Sequence, residues 1–150
     1  MVTDMFGVIL DDLGKKIGVP LKPDENNTCL LKMKEGVSIQ IEPDKSGDFL
    51  LLGCKLGVMP PGKYRENIFR QALKANDLPT VNTGIFSFSK KSDNLILFKK
   101  VYLKTLTAER LVQEVKPFVE KAALWANAIE HNDIPEISQV YTSKSGMFGL

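Results

Sequence analysis

Residues 49–103 read FLLLGCKLGVMPPGKYRENIFRQALKANDLPTVNTGIFSFSKKSDNLILFKKVYL. Phe49 to Cys54 is an unbroken apolar run, the pattern of a central strand covered on both faces. Pro60-Pro61-Gly62 breaks it, because proline has no amide to give a ladder and glycine admits turn conformations. Lys63–Asn76 then spaces Ile68, Phe69, Ala72 and Leu73 at helical period. Beyond Asn82-Thr83-Gly84, the stretches Ile85–Ser89 and Leu95–Leu103 read as two strands joined across Lys91-Ser92-Asp93-Asn94. A strand, a helix and a hairpin thus follow one another, and the flanking sequence must pack on them.

Upstream, residues 4–17 place Met5, Phe6, Ile9, Leu10, Leu13 and Ile17 on one stripe, opposite Asp11, Asp12, Lys15 and Lys16. Thr3 or Asp4 can cap this amphipathic helix, and Gly18 followed by Pro20 stops it. Thr28–Met33 and Val37–Glu42 read as a hairpin around Glu35-Gly36. In its second arm Val37, Ile39 and Ile41 alternate with Ser38, Gln40 and Glu42, which gives one buried and one wet face.

Downstream, Thr107 is a candidate N-cap with Glu109 in the first turn, and Leu111, Val115, Phe118, Val119, Ala122, Trp125 and Ile129 form a long apolar stripe. Pro117 inside that stripe predicts a bend in one helix rather than two helices. Asn132 to Pro135 should end it. The predicted fold class is α+β, a five-stranded mostly antiparallel sheet with three helices in the order α-β-β-β-α-β-β-α. Residues 1–132 are expected to form one domain and residues 133–150 a flexible C-terminal tail, Ser/Gly-rich with Val140, Tyr141, Phe148 and Leu150.

Composition narrows the function classes. The 150 residues are 43% hydrophobic and 25% charged, which is globular rather than disordered. Cys29 and Cys54 lie in apolar stretches without disulfide or zinc spacing, so they read as buried free thiols and favour a reducing compartment. The N-terminus carries acids inside its apolar run, unlike a signal peptide, and no run reaches membrane-spanning length. A cytoplasmic location is expected. The net charge of +2 is too small to demand nucleic acid.

A search for chemistry finds little. His131 stands at the fraying end of the last helix, distant in sequence from both cysteines. No nucleophile turn, phosphate-cradling glycine loop or metal-ligand spacing occurs, and Asp11, Asp12, Glu35, Glu42 and Asp44 read as solvated acids. No catalytic residue, metal or cofactor is expected. Phe98 and Tyr102 among the lysines of 95–104 could stack bases, but Phe98 falls in a run that a hydrophobic core already explains, so nucleic acid is disfavoured.

The order of these features resembles the class I type III secretion chaperones of the Tir-chaperone family. Leu50–Cys54, Pro60–Gly62, the Leu73-Lys-Ala-Asn76 helix end, Gly84 opening a strand and Leu95–Leu103 carry the resemblance, with the helix 5–17 and Cys29-Leu30-Leu31 ahead of them. It covers residues 4–132. The slightly basic charge and the tail depart from it.

The resemblance implies an ATP-independent homodimer that keeps the extended N-terminal segment of a secreted effector export-competent, with the export-apparatus ATPase as a candidate partner. By the same analogy, the client would contact Phe6, Leu10, Leu13, Leu30, Val37 and Ile39. The dimer interface would use Ile68, Phe69, Leu73, Ile85, Phe86 and Phe88. The rival readings are an adaptor for an internal regulatory partner and, behind it, a nucleic-acid module.

Overall fold

The computed structural model describes residues 5–78 and 83–135. The candidate caps Thr3 and Asp4, the turn residue Asn82 and the tail from residue 136 lie outside the described residues. The elements are α1 (Met5–Ile17), β1 (Cys29–Lys32), β2 (Ser38–Pro43), β3 (Phe49–Val58), α2 (Lys63–Asn76), β4 (Ile85–Ser89), β5 (Asn94–Tyr102) and α3 (Ala108–Glu130). This is the predicted α+β order, with strand ends moved by a residue or so and β3 extended four residues past Cys54.

The five strands form one antiparallel sheet in the order β1, β2, β3, β5, β4. β3 is central, as the apolar run implies, but it is not covered on both faces. Leu50, Leu52, Cys54 and Leu56 are buried, while Phe49, Leu51, Gly53 and Lys55 on the other face are partly or fully exposed, and a register shift between Lys55 and Gly57 turns Gly57 toward α3. The run is apolar throughout, yet only one of its faces meets helices.

That face packs on α3. Leu111, Val115, Phe118, Val119, Ala122, Trp125 and Ile129 are buried there, with the β2 residues Ile39 and Ile41 and the β5 residues Leu95 and Leu97 in the same core. α1 lies against α3 and adds Phe6, Ile9, Leu10 and Leu13. The α3 helix begins where capping chemistry requires, since the Thr107 hydroxyl oxygen accepts from the Arg110 amide at 3.2 Å. It continues unbroken through Pro117. Gly57 sets its approach to β3: a Cβ there would stand 2.7 Å from Ile129 Cγ2, at a φ of 154° that side chains avoid.

Two polar devices complete the packing. Asn76 at the end of α2 donates to the Phe86 carbonyl at 3.1 Å and accepts from the Phe86 amide at 2.8 Å. One side chain therefore does for the edge of β4 what a neighbouring strand would do. Lys121 of α3 donates to the Gly84 carbonyl at 2.8 Å, over the Phe86 ring, and burial followed by the nearby Lys99 charge pulls its pKa down to about 8. Lys99 itself pairs with Glu114, which also accepts from Arg110 Nε at 3.1 Å.

Asn76→Ala should lower the unfolding free energy by about 1–3 kcal/mol, because it orphans two backbone groups at a sheet edge. Leu124→Ala, on α3 but 53% exposed, should change it by no more than about 0.5 kcal/mol in the same urea titration. Around Glu114, burial pushes the carboxyl up, but the Lys99 and Arg110 cations outweigh it and hold it below the usual range. A depressed carboxylate stabilises fully above its unfolded pKa, about 4.3, and the contribution is lost as pH falls through the folded value. Lys99→Met should therefore cost about 1–3 kcal/mol at pH 7, with the gap to the parent narrowing below about pH 4.

Candidate functional site

Strand alternation puts a second set of side chains on the face that the helices leave bare. The register aligns Leu30, Gln40, Gly53, Phe98 and Ile85 in one row across all five strands. The next row runs Glu42, Leu51 and Lys100, and beyond it Phe49 meets Tyr102 edge to face at 5.6 Å. Lys100 Nζ sits 5.0 Å from the Phe49 ring centre. The face is thus apolar along its middle with a few charges of both signs.

Its shape is a trough. Gly53 has no side chain, and a Cβ there would meet nothing within 4 Å, so the row has a gap between Gln40 and Phe98. An open groove of about 1070 Å³ follows this gap, walled by Leu30, Gln40, Leu51, Ile96 and Phe98. It continues into a fork in the sheet. β2 pairs with β3 only from Gln40–Pro43 to Leu50–Gly53, so beyond Gly53 the strands diverge. Val37 and Ser38 stand on one lip, Lys55 to Val58 on the other, and Ile129 and Glu130 of α3 close the end.

The expected client residues fare differently. Phe6, Leu10, Leu13, Val37 and Ile39 are buried in the protomer core, whereas Leu30 is 60% exposed at the rim of the trough. Of the expected interface residues, Ile68 is fully buried and Phe86 packs against Trp125 at 4.2 Å. Phe69 and Phe88 meet edge to face at 4.9 Å beneath the Arg65 guanidinium, 4.4 Å from the Phe88 ring centre. Leu73 and Ile85 are the exposed members, and Ile85, at 39%, shares its row with Leu30. The structure thus joins one residue from each expected surface on one face.

Leu51 and Phe98, which the sequence pattern places in a core, are trough residues, and Ile96 joins them. Their signal was parity. Leu95, Leu97 and Val101 lie on the covered face of β5, so Ile96, Phe98 and Tyr102 must point the other way.

His131 caps α3, with Nδ1 2.8 Å from the Asn127 carbonyl oxygen. Cys29 and Cys54 are free and buried, and burial raises both thiols, Cys54 to about 11, which leaves little thiolate at neutral pH. Among the described residues no cluster of His, Cys, Asp and Glu could hold a metal ion, and no helix is long and apolar enough to cross a membrane.

The model of the Tir chaperone protein (CesT) family matches residues 8–126, most of the chain, from within α1 to within α3. The chain belongs to that family. Among solved structures, this Tir chaperone family member is similar to a chain of the HopA1–SchA chaperone–effector complex, at 20% identity and a TM-score of 0.67 over 83% of this chain and 94% of that one. A chain of the ExsC–ExsE complex gives 21% and 0.67 over 83% and 96%. The structure of the Yersinia pestis type III secretion chaperone SycH with a stable fragment of YscM2 gives 12% and 0.64 over 80% and 98%. At these identities the likeness is one of fold. No curated protein matches the sequence. The family agrees with the resemblance read from residues 4–132.

Proposed function

We propose that this chain is a cytoplasmic, homodimeric type III secretion chaperone that holds the extended N-terminal segment of a secreted effector along the open trough and delivers it to the export apparatus, with its ATPase as a docking partner. The observation that carries the reading is the uncovered row Leu30, Gln40, Gly53 and Phe98, with Leu51 and Ile96 beside it, in a chain of the Tir chaperone family.

The energetics suit an unfolded client. Each client residue that is ordered loses about 1–2 kcal/mol of backbone freedom. Burial of an aliphatic or aromatic anchor returns about 1.5–3 kcal/mol, so anchors must be frequent. A row about 19 Å long across five strands gives room for several. The sheet edges favour one direction of approach. Asn76 already occupies the β4 edge, while β1 has a strand on one side only, so a client strand added at β1 gains backbone hydrogen bonds and meets Leu30 next. Dimerisation then uses the α2 and β4 surface through Leu73 and Ile85, the exposed members of the expected set. No step of this binding consumes ATP or needs a cofactor.

Light scattering should find a species near twice 16.7 kDa, which Leu73→Glu shifts toward the monomer. Co-expression with a secreted protein encoded beside it should yield a complex that survives high salt. Phe98→Ala and Leu30→Glu should each weaken that complex about 10- to 100-fold without unfolding the chaperone, since both side chains are outside the core. A complex lost in salt and indifferent to Phe98 would instead indicate an electrostatic partner such as nucleic acid.

A further inference from the structure

The fork between β2 and β3 leaves half of a central strand unsatisfied. Cys54–Val58 has β5 on one side, while on the other side β2 stops pairing at Gly53. Beyond Gln40 and Gly53 the register pairs no residue of 36–38 with any of 54–58. Val58 is 63% exposed at the mouth. A strand edge bordered by apolar walls is a site for one extended peptide, since the ladder supplies backbone bonds and the walls supply pockets.

We infer that this fork is a strand-binding site whose resident occupant, when no client is bound, is residues 136–150 of this same chain. Three observations point to that occupant. The first is where the described chain ends: α3 closes the fork with Ile129 and Glu130, and Pro135 follows five residues later, itself buried. Tyr64 donates to the Asp133 carbonyl at 2.8 Å, which ties this exit to the start of α2, only a few residues beyond Val58. The exit therefore lies at the mouth of the fork.

The second is reach. Fifteen residues follow Pro135 and span up to about 50 Å when extended, more than the width of the sheet. The third is composition. EISQVYTSKSGMFGL carries Ile137, Val140, Tyr141, Met147, Phe148 and Leu150 for apolar walls, and a single lysine, Lys144, to face Glu42 or Glu130 on the groove lining. It contains no proline, so every amide can join a ladder. A tether this short gives an effective concentration in the mM range, so even a weak intrinsic affinity keeps the site filled. The same segment would then screen the open edge from other chains and yield to a client of higher affinity, a corollary that rests on the proposed function.

Amide hydrogen exchange on the full chain tests the assignment without any client, so its failure leaves the chaperone reading standing. In the parent, amides within 54–58 and within 136–150 should both be protected, independently of protein concentration. The triple variant Val140→Asp, Tyr141→Asp, Phe148→Asp changes none of the described residues. It should speed exchange in both segments by 10-fold or more while the α3 amides stay slow and the urea midpoint falls only slightly, and the free peptide EISQVYTSKSGMFGL added at millimolar concentration should restore protection of 54–58. Equal exchange in parent and variant would overturn the proposal. Protection that grows with protein concentration would overturn it too, because the occupant would then be the tail of a second copy.

Discussion

The 23 residues of α3 lie against one face of a five-stranded sheet, and one helix cannot cover two faces. Phe118, Val119, Ala122 and Trp125 seal the side they touch, α1 fills in beside them, and Gly57 lets Ile129 come close to β3. The described helices leave the far side of the sheet uncovered. A two-layer α+β domain usually makes that bare face polar. Here it carries Leu30, Leu51, Phe49, Ile96, Phe98 and Ile85, so the described elements leave apolar surface uncovered.

The edges of the sheet are managed unequally. At β4 the Asn76 amide saturates the Phe86 backbone groups and α2 lies alongside, so that edge is closed to strand addition. At β1, and again where β2 leaves β3, no comparable device is present among the described residues. Open edges invite unwanted pairing, and proteins generally suppress them. Keeping them beside an apolar trough is consistent with a surface meant to receive extended chain, and the price is a risk of self-association that a resident segment would lower.

Most of the architecture was legible in the sequence because each element carries a local signal. The α2 and β4 limits follow from the proline-glycine break and from Gly84, and the start of α3 follows from Thr107. The faces were harder. In β3 every residue from Phe49 to Leu52 is apolar, so hydrophobicity carries no parity and the strand looks doubly buried. Only the β5 register, with Lys100 opposite Leu51 and Phe98 opposite Gly53, reveals which side is bare. The site residues suffered most from this. Phe6, Leu10 and Leu13 form a clean stripe, and a clean stripe says that a helix face is buried without saying whether its partner is the same chain or another. Asn76 was visible as a helix-terminal position, but its hydrogen bonds to a strand ten residues later depend on tertiary placement.

The basic character of α2 looks at first like a conflict with a dimer surface, because two such helices would repel. The structure assigns part of that charge to packing. Arg65 lies over Phe88 and Phe69 and reaches Asp93 at 3.9 Å, so its guanidinium covers aromatic surface within the protomer. Lys63 stands 3.8 Å from Glu66 on the same helix, an exposed pair that contributes little stability but lowers the local field. On the open face Lys100 is likewise placed over Phe49, with Glu42 in the same row. Cations fixed over rings beside a carboxylate do not form the continuous positive stripe that tracks a phosphate backbone. The surplus of two positive charges is thus distributed among local contacts, and the long-range field it leaves is weak. Recognition on this surface must then come from shape and apolar burial, which is what an unfolded apolar segment offers and a polyanion does not.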